Sequence, residues 1–279
     1  GSNGFGELGL GNQTNYSSPK QVGALTNWSS IEAASYSAVA IKTDGTLWSW
    51  GWSLYGQLGL NNVIYYSSPK QVGALTSWSS VSCGRYYTVS IKTDGSLWSW
   101  GLNTTGQLGL GDTITRSSPV QVGTSSWGNV AASGTGHTLG ITVDGKLFAW
   151  GNNYLGQLGT GDTINYSSPV QIGTSSWSAI DAGTSWSAGI SAFRLFMWGG
   201  GSNYELGVGT TASRSSPVQL GTSTGATTTV WDPMFYGNPP VAPSNWVMQI
   251  TYPSDMDPDF KIIKRDGNIQ SIAYRGLQY

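Results

Sequence analysis

Apolar residues in this chain come in short alternating runs, with no helical periodicity. Tyr87, Val89 and Ile91 alternate with Thr88 and Ser90, and the next run is Leu97-Trp98-Ser99-Trp100. Alternation over four to eight residues predicts half-buried strands. Asp94-Gly95 sits between these two runs, and Asp44-Gly45 and Asp144-Gly145 occupy the same place one period earlier and later. Asp-Gly between apolar strands predicts a two-residue type I′ hairpin, in which both central residues take φ > 0. Trp78-Ser79-Ser80-Val81 leads into the first of these strands, and Ser67-Ser68-Pro69-Lys70-Gln71-Val72-Gly73 is predicted as a short extended segment. Pro69 has no N–H for a ladder, so that segment suits a sheet edge or the start of a strand.

The pattern repeats. Ser-Ser-Pro recurs at Ser17, Ser67, Ser117, Ser167 and Ser215, so three intervals are 50 residues and the last is 48. Trp50-Gly51, Trp100-Gly101, Trp150-Gly151 and Trp198-Gly199 precede the last four of these triplets. A period in this range marks a repeat architecture in which each unit buries its apolar face against the next. Tyr16–Ser30 matches Tyr66–Ser80 except at Asn27 and Ser77, which points to internal duplication. The fourth hairpin is degenerate: Ile190-Ser191-Ala192-Phe193-Arg194-Leu195 has no Asp-Gly.

The fold expected is all-β, a β-propeller with blades of about 50 residues. Five blades are expected, closed by the N- and C-terminal segments. The domain reading follows: 1–221 as tandem propeller repeats, 222–259 as a proline-punctuated insertion or docking segment, and 260–279 as a worn hairpin. That hairpin, around Asp266-Gly267, would complete a blade with the N-terminal segment, which lacks one of its own. Closure removes the exposed sheet edges of an open array. A chain that opens inside a repeat without Met reads as a trimmed or processed product.

Composition narrows the function. Charged residues make up 10% of the 279, and the formal net charge is −1. No domain-wide basic field exists for a nucleic-acid backbone. No apolar run approaches the roughly 18–20 residues of a membrane-spanning helix. Cys83 is the single cysteine and His137 the single histidine, so no Cys/His metal site and no Cys–His or Ser–His–Asp arrangement stands out. No cofactor and no enzymatic activity are expected. Asp44, Asp94, Asp144 and Asp266 read as turn residues, Asp112 and Asp162 as residues whose carboxylates bond nearby backbone, and His137 as structural. The 14 tryptophans mostly hold repeat positions and read as blade-to-blade packing. Trp52, Trp186, Trp231 and Trp246 fall outside the pattern and are candidates for recognition.

Loops on a rigid scaffold carry function disproportionately. The variable residues lie between Trp-Gly and Gly-Gln-Leu-Gly, and just before Ser-Ser-Pro. Equivalent loops fall on one rim, so we select Trp52, Tyr55, Asn103, Asn153, Tyr154 and Tyr204 from the first group. Tyr65, Tyr66, Arg116, Tyr166 and Arg214 come from the second. Aromatic faces beside amides suit sugars or a protein partner.

The run Trp100-Gly101-Leu102-Asn103-Thr104-Thr105-Gly106-Gln107-Leu108-Gly109-Leu110-Gly111-Asp112, with Ser-Pro and Val following, resembles the regulator of chromosome condensation repeat. Trp150 to Asp162 is a second close match, and Gly134-Thr135-Gly136-His137-Thr138 is similar to that family's Gly-x-x-His-Thr segment. The resemblance spans residues 1–221, with an echo at 260–273, and implies a β-propeller, in that family commonly of seven blades. The namesake is an exchange factor for a small GTPase that docks on chromatin. Relatives include an ultraviolet sensor, a β-lactamase inhibitor and many bacterial and viral surface proteins. The low charge here lacks the acidic and basic faces of the exchange factor. The near-identical, Ser/Thr/Gly/Tyr-rich repeats are more similar to phage or bacterial surface proteins. The expectation is therefore a non-enzymatic structural or binding propeller on the surface of a bacteriophage particle, as a tail, fibre or capsid-associated component. Its partners would be neighbouring virion or surface proteins and a host-surface glycan, with no nucleic acid; a homo-oligomer is compatible. The alternatives are a secreted or cell-surface bacterial adhesion module of lectin type, and, further off, an exchange-factor-like protein.

Overall fold

The computed structural model describes residues 1–24 and 26–221, and the backbone of 260–265 and 268–274. It forms two compact units, Gly1–Leu220 and Gly221–Tyr279, each described by itself. The expected insertion 222–259, with Trp231 and Trp246, lies outside the described residues, as does the Asp266-Gly267 turn.

The first unit is a β-propeller built from four antiparallel four-stranded sheets. The first blade has β1 (Trp28–Ala33), β2 (Ser37–Lys42), β3 (Leu47–Gly51) and β4 (Tyr66–Gln71). The second has β5 (Trp78–Cys83), β6 (Tyr87–Lys92), β7 (Leu97–Gly101) and β8 (Arg116–Gln121). The third has β9 (Trp127–Ala132), β10 (His137–Thr142), β11 (Lys146–Gly151) and β12 (Tyr166–Ser176), and the fourth has β13 (Ala179–Ala182), β14 (Trp186–Ser191), β15 (Arg194–Gly199) and β16 (Arg214–Gln219). Strands neighbour each other in chain order in every sheet. Pro69, Pro119, Pro169 and Pro217 all fall on the strand at the sheet edge, where a missing N–H costs no ladder bond. In the second unit, β17 (Phe260–Arg265) and β18 (Asn268–Tyr274) form an antiparallel hairpin. No described residue is helical.

The Asp-Gly turns differ from the type I′ expectation. Gly45 N donates to Lys42 O at 2.9 Å and Lys42 N to Thr46 O at 3.0 Å, which closes a three-residue loop. Gly45 has φ of 75°, while Asp44 is not among the residues with positive φ. This is the loop in which one left-handed residue follows a tight turn as a bulge, so a single glycine suffices. Asp44 instead accepts Thr46 N at 2.9 Å through Oδ1, and Asp94 does the same for Ser96 N. The two-residue turn with both φ positive occurs where Asp-Gly is missing. Ser191 pairs with Arg194 across Ala192 (φ 48°) and Phe193 (φ 62°).

Blades are joined by a repeated device. Trp100 Nε1 donates to Gln57 O at 2.9 Å, Trp150 Nε1 to Gln107 O at 3.0 Å, and Trp198 Nε1 to Gln157 O at 3.0 Å. Each acceptor belongs to the Gly-Gln-Leu-Gly loop of the preceding repeat. Thr88, Thr138 and Ser187 hydroxyls donate to the same three carbonyls. Trp50 reaches Glu7 O at 2.8 Å in the N-terminal copy. The motif's second glycine is explained by this contact: a Cβ on Gly59 would lie 2.7 Å from Trp100 Nε1. Around each indole an apolar cluster spans two blades. Val39, Ile41, Leu47 and Val72 of the first blade pack with Trp78, Val81 and Trp100 of the second, and the arrangement recurs at the next two junctions. Trp50, Trp78, Trp100, Trp127, Trp150, Trp177 and Trp198 are thus core, as their spacing implies, while Trp28, Trp48 and Trp98 are half-buried.

The first blade has no such aliphatic set on its outer side within this unit. Ile31 is 63% exposed, whereas its equivalent Val81 is 8% exposed. Val22, Trp28, Ile31, Ala40 and Trp50 line an open groove of about 320 Å³ there. Tyr16–Gln21 has the sequence of β4, yet it is not a strand, since no β3 equivalent precedes it in the unit.

Candidate functional site

The long loop after Trp-Gly is built on a buried asparagine. Asn103 Nδ2 donates to Asp112 O, Asp112 Oδ1 and Ile114 O at 3.0–3.1 Å, and its Oδ1 accepts Leu108 N at 2.9 Å. Asn153 makes the matching set in its loop, with Asp162 and Leu158, and so does Asn3 with Asn12, Thr14 and Leu8. Asn103 and Asn153 are fully buried. They were expected on the rim surface; instead both ends of each amide are consumed in folding the loop. Asp112 and Asp162 bond the backbone N of Ile114 and Ile164, as expected of turn aspartates. These bonds, with Arg116 beside Asp112, hold the Asp112 carboxyl below its ordinary range.

A second device fixes the residue just before Ser-Ser-Pro. Asn62 Nδ2 donates to the Tyr66 hydroxyl at 3.2 Å, and Arg116 donates to Asp112 Oδ2 at 2.6 Å. The Tyr166 hydroxyl donates to Asp162 Oδ2 at 2.8 Å, and Arg214 reaches Thr210 Oγ1 at 3.4 Å. Each partner is four residues upstream. Tyr66, Arg116, Tyr166 and Arg214 are half-buried and tied back to their own loops.

The remaining selected residues separate into two groups. Tyr154 and Tyr204 are 69% and 64% exposed, on the loops of the third and fourth blades, and take part in no ring contact. Tyr204 has φ of 62° and stands where the earlier copies have Gly6, Gly56, Gly106 and Gly156. A Cβ on Gly56 would meet Ser117 Cα of the next blade at 2.5 Å. Trp52, Tyr55 and Tyr65, by contrast, come together. Trp52 lies 5.7 Å from Tyr55 and 6.1 Å from Phe5 between ring centroids, and Phe5 lies 6.2 Å from Tyr65. Tyr36 packs on Phe5 at 5.8 Å and on Trp52 at 5.7 Å, and Tyr86 packs on Trp52 and Tyr55 at 5.2 Å each. The Arg85 guanidinium sits 4.8 Å from the Tyr86 ring centre.

This six-ring patch draws on the N-terminal loop, the first blade and the second. Phe5 and Tyr65 are exposed and the other four rings half-buried. Sequence reasoning found three of the six and missed Phe5, Tyr36, Tyr86 and Arg85. A signal was present: the β1–β2 and β5–β6 loops end beside Gly51 and Gly101, at the same end of the blade as the Trp-Gly loop. The patch is not repeat-encoded. The position of Tyr36 and Tyr86 holds Gly136 and Ser185 later, and that of Trp52 holds Leu102 and Asn152.

His137 lies elsewhere. It is fully buried, and its Nε2 meets Ser187 Oγ at 3.0 Å. Ser187 donates its hydroxyl proton to Gln157 O, which assigns the imidazole proton to Nε2. Burial lowers the His137 pKa to about 3, so the ring is neutral and structural. Burial likewise pushes the Cys83 thiol up to about 12, leaving it an unreactive thiol. No group of three or more His, Cys, Asp or Glu that could hold a metal occurs among the described residues. No helix among them is long and apolar enough to cross a membrane.

Comparison with known proteins follows the repeat. A family model described as the regulator of chromosome condensation (RCC1) repeat matches residues 44–91, 94–141 and 144–190. A second model of that description matches 28–57, 78–107 and 130–157. Among curated proteins no sequence matches. Similar solved structures include human WBSCR16, at 21% identity and TM-score 0.67, covering 78% of this chain and 60% of that one. A structure of Kap60 bound to yeast RCC1 (Prp20) matches at 20% identity and TM-score 0.63, with 70% and 48% coverage. Prp20p from Saccharomyces cerevisiae, described with its binding to Gsp1p and histones, matches at 20% identity and TM-score 0.61, with 70% and 50% coverage. The chain thus spans about half to three fifths of those proteins, and at these identities the likeness concerns the fold.

Proposed function

The chain belongs to the regulator of chromosome condensation repeat family, and on that basis we propose that it is a non-enzymatic binding propeller whose contact surface is the aromatic patch around Trp52. The observation that carries this is the departure of the patch from the repeat. Much of what the repeat specifies is used internally: the indoles of Trp50, Trp100, Trp150 and Trp198 on carbonyls, asparagines in loops, aspartates in turns. Phe5, Tyr36, Trp52, Tyr55, Tyr65 and Tyr86 are extra aromatic surface that the third and fourth blades do without. Clustered aromatics at a surface, with polar tips still free, are the composition of an interaction hot spot. Yeast RCC1 (Prp20), which shares the fold, binds Kap60, Gsp1p and histones.

The finer role we propose is attachment from the surface of a bacteriophage particle. The support is compositional: 10% charged residues, near-identical Ser/Thr/Gly/Tyr-rich repeats and a net charge of −1. The same charge balance argues against exchange activity on a small GTPase, and a nucleotide-release assay is expected to show none. The test of the binding role is adhesion of the purified chain to whole bacterial cells, with Trp52→Ala and Tyr86→Ala beside Tyr154→Ala as an off-patch control. Loss of adhesion in the first two alone supports the patch. Equal adhesion in all three removes it. Antibody labelling that finds the protein away from phage particles would remove the particle assignment while leaving the binding role.

A further inference from the structure

The patch has a chemical bias that points to its ligand; this deepens the rim-binding function proposed above and rests on it. The hydroxyls of Tyr36, Tyr55, Tyr65 and Tyr86, and the Trp52 indole N–H, have no hydrogen-bond partner among the described residues. Tyrosines used structurally behave differently, since the hydroxyls of Tyr66 and Tyr166 are both engaged. Arg85 forms no salt bridge; the described salt bridges are Arg116–Asp112 and Lys146–Asp144. The acid within the patch loops is Glu7, whose carboxylate accepts the Phe5 N–H at 2.9 Å inside its own loop. The surface therefore presents aromatic faces, an excess of unused donors and one unpaired cation.

A ligand that fits must offer apolar faces, many acceptors and negative charge within a short length. Neighbouring rings stand 5.2–6.2 Å apart at 50–88° to one another, so the surface is stepped. Each step is about the width of one pyranose ring. Pyranose rings carry C–H faces that lie on aromatic rings and oxygen-rich edges that accept from phenols and indoles. A carboxylate is matched by a guanidinium in two parallel bonds. Single-stranded nucleic acid also stacks on aromatic rings, but it needs a cationic groove along its backbone, and one arginine does not make one.

We propose that this patch binds an acidic oligosaccharide, a chain of pyranose units bearing carboxylates, with sugar faces on Trp52, Tyr55 and Tyr86 and a carboxylate on Arg85. Isothermal titration of the full chain with oligogalacturonate, with a neutral gluco-oligosaccharide of the same length, and with poly-glutamate tests it. Oligogalacturonate is expected to bind about tenfold or more tightly than the neutral sugar, with an affinity that weakens as salt rises. Trp52→Ala is expected to abolish both sugar interactions. Arg85→Gln is expected to remove the preference and the salt dependence while keeping the weak neutral binding, a result that also shows the variant is folded. Equal binding of the two sugars, binding of poly-glutamate as strong as that of oligogalacturonate, or no sugar binding overturns the assignment. If no sugar binds but Trp52→Ala still abolishes adhesion to cells, the sugar inference falls and the rim-binding function stands. If Trp52→Ala changes neither measurement, both fall.

Discussion

Ser53 is the weak point of its loop, and the chain contains its own control. Asn3, Asn103 and Asn153 occupy the equivalent position in three other copies, each with its amide satisfied. Ser53 is just as buried, but its hydroxyl has no partner. The loop backbone is otherwise alike: Gly56 N donates to Ser53 O at 2.9 Å, as Gly106 N does to Asn103 O at 3.1 Å. Ser53→Asn should therefore install the missing staple. An Asn here gains two to three hydrogen bonds, each worth roughly 0.5–1.5 kcal/mol net, and relieves the unpartnered hydroxyl. Fixing the longer side chain costs about 1 kcal/mol, so the expected gain is about 1–2 kcal/mol. The reverse change, Asn103→Ser, strips the Leu108 N–H and the carbonyls of Asp112 and Ile114 of this partner, and should cost about 2–4 kcal/mol. Guanidinium unfolding followed by near-ultraviolet circular dichroism measures both. Because blades in a repeat array respond partly as separate units, the shift should appear in the phase reporting the first blades. If Asn103→Ser destabilises as expected but Ser53→Asn is neutral or harmful, the loop after Trp52 does not share the asparagine-centred geometry.

Other expectations follow from the same structure. Replacing Ala192-Phe193 by Asn-Gly places residues suited to positive φ in the two-residue turn and should raise stability by about 1–3 kcal/mol, read as a rise in thermal midpoint; no change would mean the turn is not left-handed at both positions. Gly56→Ala, whose Cβ would meet Ser117 Cα at 2.5 Å, should cost about 2–4 kcal/mol, whereas Gly73→Ala, with nothing within 4 Å, should cost only the backbone strain of about 1 kcal/mol. His137 has a folded pKa of about 3, below its unfolded value. The unfolded chain therefore binds a proton first as pH falls, so stability is complete above about pH 7 and declines toward the folded pKa, by at most about 1.4 kcal/mol per pH unit. Unfolding at pH 7 and pH 4.5 should show that decline, and His137→Tyr, which installs the residue found at the equivalent Tyr87, should flatten it. The lowered aspartates Asp44, Asp94 and Asp112 begin to lose their contribution only as pH falls below the ordinary carboxylate value of 3.8, under the pH 4.5 point of that comparison.

The sequence made the fold legible because the chain repeats the same physical statement. Alternating apolar positions give the strands, Ser-Ser-Pro gives the edge strand, and the tryptophan before glycine gives the blade junction. What misled was the Asp-Gly pair. It encodes two loop lengths, and only the flanking Lys42–Thr46 closure decides between them. The site was less legible for a related reason. An aromatic or an amide in a variable loop looks the same in sequence whether it is turned outward or locked inward. Asn103 and Tyr166 differ from Trp52 and Tyr55 in having partners at fixed offsets, nine residues and four residues away. Those offsets recur across the copies and could be read as structural; residues that break the recurrence are the ones left for function.

The duplicated segment shows why recurrence is the better guide. Tyr16–Gln21 and Tyr66–Gln71 have identical sequences, yet only the second is a strand, because only it has β3 beside it. Local sequence therefore sets what a segment can form, and the neighbouring blade sets whether it forms. The same holds for Trp28 and Trp78: the first is half-buried beside the exposed Ile31, the second is buried under the preceding blade's valine, isoleucine and leucine. The groove beside Val22, Trp28 and Ile31 is built from repeat-locked residues. The patch around Trp52 is of another kind, since in the blades that lack it the scaffold closes equally well. A partner found there can be exchanged through Phe5, Tyr36, Trp52 or Tyr86 with little change in the junctions, whereas substitutions at Trp100 or Gln57 would disturb the fold first. Surface and packing are thus carried by separate residues of one loop: Trp52 and Tyr55 form part of the aromatic patch, while Gln57, Leu58 and Gly59 hold the next blade.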